Sequence, residues 1–176
     1  MKGVAIGYFG GDPLQLFDDL QTLKPTIFLA VPRIINRVYG KVMAQAASFT
    51  GTKKWLFDKA IQTKVENYKN KCSTTHYLYD SVVFKKIRNM FGGNVKFVLV
   101  GAAPISPEVL TFFKIALGVN IREAYGSTEL GLVCCTRADD PVYGNVGGIS
   151  PCIKARLRDI PEAGYLSTDP IPRGEL

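Results

Sequence analysis

The 30 residues from Val95 to Ala124 constrain the fold more than any other stretch of the chain. Val95-Lys96-Phe97-Val98-Leu99-Val100 has the length and branched apolar content of a buried strand. After the tight turn Gly101-Ala102-Ala103-Pro104, Ser106-Pro107-Glu108 combines a capping hydroxyl, a first-turn proline and an acid near the positive helix end. Leu110, Phe113 and Leu117 then share one helical face until Gly118. Val119 to Ala124 is extended again. Strand, helix and strand at this spacing form a βαβ unit, which predicts neighbouring parallel strands and a right-handed crossover.

The upstream residues supply more of the same layers. Asp12-Pro13 opens a helix with Leu16, Leu20 and Leu23 on one face, and Pro25 ends it. Thr26 to Val31 is expected as a strand buried on both faces, as in a parallel sheet. Pro32 starts a helix with Ile34, Val38 and Val42 aligned, and Gly51 breaks it. A third helix, Thr52 to Asn70, carries the stripe Phe57, Ile61, Val65 and Tyr68, with Trp55 outside it. Asp80 is placed to cap a fourth, in which Val83, Ile87 and Met90 align and which Gly92-Gly93 closes. Cys152 to Arg158 alternates like a strand. These elements predict an α/β fold: an open, mostly parallel sheet flanked by helices.

Composition narrows the function classes. Hydrophobic residues make up 47% and charged residues 21% of 176 residues, enough for a core and against disorder. No apolar run approaches the ~20 residues of a membrane span, and Met1 to Gly7 is too short for a signal-peptide core. An intracellular protein, soluble or peripheral, is the expectation. Cys72, Cys134, Cys135 and Cys152 form no Cys-x-x-Cys pair and His76 is the only histidine, so the pattern of a zinc site is absent. The cysteines read as buried free thiols. The +7 net charge sits in residues 1–100, which hold 15 basic against 6 acidic residues. Lys53, Lys54, Lys59 and Lys64 beside Trp55 are expected to face an anionic membrane. Nucleic acid is not expected as a partner, because the aromatics follow core periodicity instead of interleaving with the cations.

Two segments carry the chemistry. Ligands of an open parallel sheet lie beyond the carboxyl ends of its strands, where both Gly101–Pro104 and Tyr125-Gly126-Ser127-Thr128-Glu129 are expected. The first has no bulky side chain, so a flat ring can approach its backbone. The second offers an aromatic face, two hydroxyls and a carboxylate able to ligate Mg²⁺ shared with a phosphate. A nucleotide site is one reading. Ordinary turn residues with a solvated acid are the other.

Tyr125-Gly126-Ser127-Thr128-Glu129 resembles the Tyr-Gly-x-Thr-Glu motif of the adenylate-forming superfamily, and Gly-Ala-Ala-Pro precedes it at the spacing that family uses. Leu23-Lys24-Pro25-Thr26, Val31-Pro32-Arg33, Gly147-Gly148 before Pro151, and Tyr165-Leu166-Ser167-Thr168-Asp169 running into Pro172-Arg173-Gly174-Glu175-Leu176 are similar to long-chain fatty acyl-CoA synthetases. The resemblance spans nearly the whole chain. It implies a ligase that joins a long-chain fatty acid to ATP with Mg²⁺, releases pyrophosphate, and passes the acyl group to coenzyme A.

Carried over by position, the resemblance puts Tyr125 against adenine, with Gly126 and Ser127 beside it. Gly101, Ala102, Ala103 and Pro104 line the other side, Thr128 lies near the α-phosphate and Glu129 ligates Mg²⁺. Thr128 and Glu129 are thus the expected catalytic residues. Arg122 matches a basic residue near the nucleotide more weakly, and Ala124 stands where a glycine often precedes the tyrosine. Peripheral association with endoplasmic reticulum, mitochondrial outer membrane or peroxisome is implied as well.

The family's Thr-Ser-Gly-Thr-Thr-Gly-like phosphate loop is not in the chain, nor is its ribose-binding Asp or its catalytic Lys. The expectation is an internal fragment, a single partial AMP-binding domain inactive by itself. Residues 1–93 would be a helix-rich basic part, 94–150 the βαβ unit with the site, and 151–176 the start of a β-rich segment. The alternative is a non-catalytic truncated module that binds nucleotide or lipid.

Overall fold

The computed structural model describes residues 3–137, 140 and 142–176. Strands β1 (Ile27–Ala30), β2 (Phe97–Gly101), β3 (Asn120–Ser127), β4 (Gly131–Cys135) and β5 (Gly148–Ile149) form one sheet in sequence order. β1, β2 and β3 are parallel; β4 pairs antiparallel with β3, and β5 antiparallel with β4. Helix α1 (Leu16–Leu23) precedes β1. Helices α2 (Pro32–Ala47), α3 (Gly51–Lys71), α4 (Tyr77–Val82) and α5 (Lys85–Met90) lie between β1 and β2, and α6 (Pro107–Leu117) joins β2 to β3.

The parallel register explains the core. Phe28, Val98 and Ile121 line up across three strands, with Ala30 and Val100 next to them, and all five are buried. Phe91 joins the layers: its ring makes edge contacts with Phe17 of α1, Phe28 of β1 and Phe113 of α6, with centroids 5.8–6.0 Å apart. Each such buried side chain contributes roughly 1.5–3 kcal/mol. Helix α6 is the most enclosed element, and its start forms as the sequence dictates. Ser106 Oγ accepts from Val109 N at 3.3 Å, and Pro107 occupies the first turn.

Several expectations are corrected. β1 is not buried on both faces: Ile27 is 56% and Leu29 70% exposed. Both belong to the sheet face that the described helices leave open, and β1 is an edge strand. The helix expected from Asp80 is two short helices, α4 and α5. His76 caps the first by accepting from Tyr79 N, and Asp80 lies inside it. Cys152 to Arg158 forms no strand: among the described residues its one strand-type pairing is the isolated bridge Arg158–Glu175. Of the four cysteines, all free, only Cys134 is buried; Cys72 and Cys152 are exposed. No described helix is long and apolar enough to cross a membrane.

The basic patch is also rearranged. Lys64 is fully buried, so it cannot face a membrane. Its spacing from Phe57 and Ala60 puts it on the inward stripe of α3. Its ammonium group donates to Asp80 and to the Ile115 carbonyl. Asp80 also pairs with Arg88 at 2.9 Å, and Arg88 Nε donates to the Ala116 carbonyl at 3.2 Å. Two cations thus satisfy carbonyls at the end of α6 that no helical N–H can reach. Burial lowers the Lys64 pKa, opposed by Asp80. Burial would raise that of Asp80, but the hydrogen bonds from Lys64, the His76 backbone and Arg88 hold it below the usual carboxylate range. Elsewhere in the patch, Lys54 pairs with Asp58, and Lys53 lies over the Phe49 ring.

Candidate nucleotide site

The two segments singled out in the sequence meet on one rim. β2 and β3 are neighbouring parallel strands, and Gly101, the last residue of β2, pairs with Ala124 where their ladder ends. Gly101–Pro104 therefore leaves the sheet beside the residues that lead into Tyr125. A Cβ at Gly101 would stand 3.0 Å from the Ala124 carbonyl oxygen, so a side chain there would crowd the neighbouring strand's backbone. Ala102 adopts φ 72°, a left-handed conformation that costs a non-glycine residue about 1–2 kcal/mol. Such strain persists where the surroundings over-determine it, and it concentrates at functional turns.

Tyr125 to Glu129 is not a simple turn. Tyr125, Gly126 and Ser127 continue β3, and a bulge lies between Tyr125 and Gly126 where the strand pairs with β4. Thr128, Glu129 and Leu130 make the hairpin turn, which Ser127 Oγ steadies by accepting from Leu130 N at 3.2 Å. The hairpin itself was not read from the sequence. Its available signals were Gly131 and the short run Leu132-Val133-Cys134-Cys135. Tyr125 is 43% exposed. Thr128 and Glu129 are exposed, and no protein partner holds the Glu129 carboxylate in the described residues.

Arg122 is not brought to this rim. It lies mid-strand opposite Leu99, on the open sheet face, and its guanidinium stands 5.5 Å from the Phe97 ring centroid. Phe97 begins β2, so the cation leans towards the amino ends of the strands. Its Nε is buried without a hydrogen-bond partner among the described residues.

The helix-side flank of β3 is held by groups that the sequence did not reveal. Glu123 N donates to Thr136 Oγ1 at 2.9 Å, fixing the exit of β4. Burial raises the Glu123 pKa, with Lys114 opposing and Asp140 reinforcing the shift. Lys114 is itself buried and donates to Tyr68 Oη at 2.9 Å, while Thr111 Oγ1 donates to Tyr143 Oη at 2.8 Å. These contacts tie the segment after β4 to α3 and α6.

Among the described residues no group of three or more His, Cys, Asp or Glu forms a metal cage. A lone exposed carboxylate with hydroxyls beside it suits an oxygen-seeking cation that takes its other ligands from phosphate and water.

Residues 1–176 match the family described as AMP-binding enzyme. The chain is 41% identical over 176 residues to the peroxisomal long chain acyl-CoA synthetase 7 of Arabidopsis thaliana, covering 99% of this chain and 25% of that protein. It is 39% identical over 168 residues to long-chain-fatty-acid–CoA ligase 1 of Homo sapiens, covering 95% and 24%. It thus spans about a quarter of the length of these curated relatives. Among solved structures, the adenylation domain of the carboxylate reductase of Mycobacterium chelonae superposes with a TM-score of 0.58 at 30% identity, covering 92% of this chain and 21% of that one. The corresponding domain from Segniliparus rugosus, in complex with AMP and a co-purified carboxylic acid, gives 0.54 at 28%, covering 92% and 21%.

Proposed function

The chain belongs to the AMP-binding enzyme family, and from that premise we propose that it forms part of the nucleotide site of a long-chain fatty acid–CoA ligase. In this reading the enzyme condenses a long-chain fatty acid with ATP to acyl-adenylate and transfers the acyl group to coenzyme A. The observation that carries it is the convergence of Gly101–Pro104 and Tyr125–Glu129 on one rim of adjacent parallel strands. The relatives named as long-chain acyl-CoA synthetases support the substrate class.

The side-chain-poor turn Gly101–Pro104 would take one side of adenine and Tyr125 the other, with Gly126 and Ser127 completing the wall. Thr128 would lie by the α-phosphate. Glu129 would hold Mg²⁺, which supplies charge neutralisation to the phosphates when bound. Arg122, aimed at the opposite end of β3, takes no part in this arrangement. Residues 1–93 and 94–150 act as one unit, since β1 of the first stretch joins the sheet of the second, and 151–176 would begin the β-rich segment that follows. We place the enzyme inside the cell, where its free thiols stay reduced. Contact with an anionic membrane rests on exposed Trp55 with Lys53 and Lys59; vesicle co-sedimentation that ignores salt and anionic lipid content removes it.

The deciding test is AMP titration monitored by backbone amide resonances. Shifts confined to Gly101–Ala103 and Tyr125–Thr128 are expected, and shifts elsewhere with these unmoved refute the site. In the complete ligase, Glu129→Gln is expected to lower adenylation by about 10²-fold or more, the scale of losing one transition-state charge contact, and to raise the Mg²⁺ concentration it needs. The 176-residue chain alone is expected to show no fatty-acid-dependent ATP–pyrophosphate exchange.

A further inference from the structure

Away from the nucleotide rim, α2, α3 and α6, with Tyr143, border an open groove of about 410 Å³, within the size range of small-molecule sites. From this groove we infer that the chain carries a second site, which takes the alkyl chain of a fatty acid lengthwise with its carboxylate at Lys69. The choice of a fatty acid rests on the ligase reading above; the groove's chemistry rests on its own lining.

The wall supplied by α3 is Ile61, Val65 and Lys69, spaced four apart along one helical face. Ile61 and Lys69 are therefore about 12 Å apart along the axis, with apolar side chains first and a cation at the end. Met43 and Phe112 extend the apolar part. The Lys69 end is the polar end, since its neighbour Tyr68 meets Lys114 there and Thr111 meets Tyr143 one turn away. Lys69 is exposed and has no ion pair among the described residues. The one carboxylate in the lining, Glu108, already accepts from Tyr39 Oη at 2.6 Å. Burial and Glu108 push the Tyr39 hydroxyl up to about 12, so it remains a donor at neutral pH. The groove thus presents an apolar slot with a single uncommitted cation at one end, which matches a single-chain carboxylate. Its far wall is the first turn of α6, which directly follows Gly101–Pro104.

The test uses cis-parinaric acid, a fluorescent fatty acid, against the 176-residue chain. Trp55 is the only tryptophan and lies about 9 Å along α3 from Ile61, so bound parinarate is read by energy transfer from it. Saturable transfer is expected, displaced by palmitate more strongly than by hexadecanol. Displacement by shorter fatty acids should strengthen about fourfold per added methylene until the slot is full. Val65→Phe, which narrows the slot, should weaken parinarate at least tenfold. Lys69→Glu, at an exposed position, should weaken parinarate tenfold and leave hexadecanol unchanged. If both variants melt like the parent and bind parinarate within twofold of it, the site is not there. Equal loss of palmitate and hexadecanol in Lys69→Glu refutes the assignment of the carboxylate end. AMP binding, followed separately at the Tyr125 amide, fails only if the nucleotide reading is wrong.

Discussion

Single residues on the rim act through how little space they take. Gly101 and Ala124 face each other across two strands, and a side chain at Gly101 would crowd the Ala124 carbonyl oxygen at 3.0 Å. The Gly147-Gly148 pair is legible in the sequence as a motif, but its purpose is visible only in three dimensions. At Gly147, φ is 76° and a Cβ would lie 2.1 Å from the Cys135 carbonyl oxygen. Gly147→Ala is therefore expected to cost about 2 kcal/mol or more, from strain and collision together. Chemical denaturation measures it, and a loss under 0.5 kcal/mol would show that the β4–β5 approach can relax. Gly148, whose Cβ would meet nothing within 4 Å, is the control. Arg122 matches a basic residue near the nucleotide only weakly, and its guanidinium lies over Phe97, towards the other end of the strands. A strand's alternation decides the face of a side chain but not which end a long one leans towards.

Among elements, α3 and α6 show why periodicity found the helices but misplaced one of their contents. Lys64 occupies a core position because Asp80 and Arg88, from α4 and α5, meet it beneath α6. Lys64→Ala should cost about 3–5 kcal/mol, as removing one partner of a buried pair does. Thermal unfolding measures the loss, and an unchanged melting temperature would refute the cluster's structural role. The cluster also sets an acid dependence. Asp80 has its carboxyl pKa depressed in the folded chain, so its contribution is complete above the unfolded value of about 3.9 and is lost as pH falls through the lower folded value. Melting temperature should drop below about pH 4, and Asp80→Asn should start lower and drop less. A parallel fall in both proteins would assign the acid sensitivity elsewhere. Phe91→Ala, which removes the ring shared by α1, β1 and α6, should cost about 3–5 kcal/mol.

The whole molecule exposes 11885 Å², against roughly 8,500 Å² for a compact monomer of this mass. Part of the excess is the open sheet face, where Ile27 and Leu29 are more than half exposed beside an unpaired edge. An apolar face next to a free edge promotes association. The isolated chain should therefore self-associate, and Leu29→Lys should reduce this without lowering its melting temperature, because that side chain packs on nothing the helices cover. Light scattering with size exclusion decides it; an unchanged oligomer distribution would place the association elsewhere.

Local signals alone determined the βαβ unit, the start of α6 at Ser106-Pro107 and the two segments that follow β2 and lie along the end of β3, since caps, breakers and apolar period are properties of neighbouring residues. They also identified Tyr125–Glu129, because the motif is contiguous. The β3–β4 hairpin, the division of α4 from α5, the burial of Lys64, the openness of one face of β1 and the aim of Arg122 were decided by tertiary structure. Each depends on which distant element supplies a backbone partner, a counter-charge or a covering layer, and no window of adjacent residues contains that information.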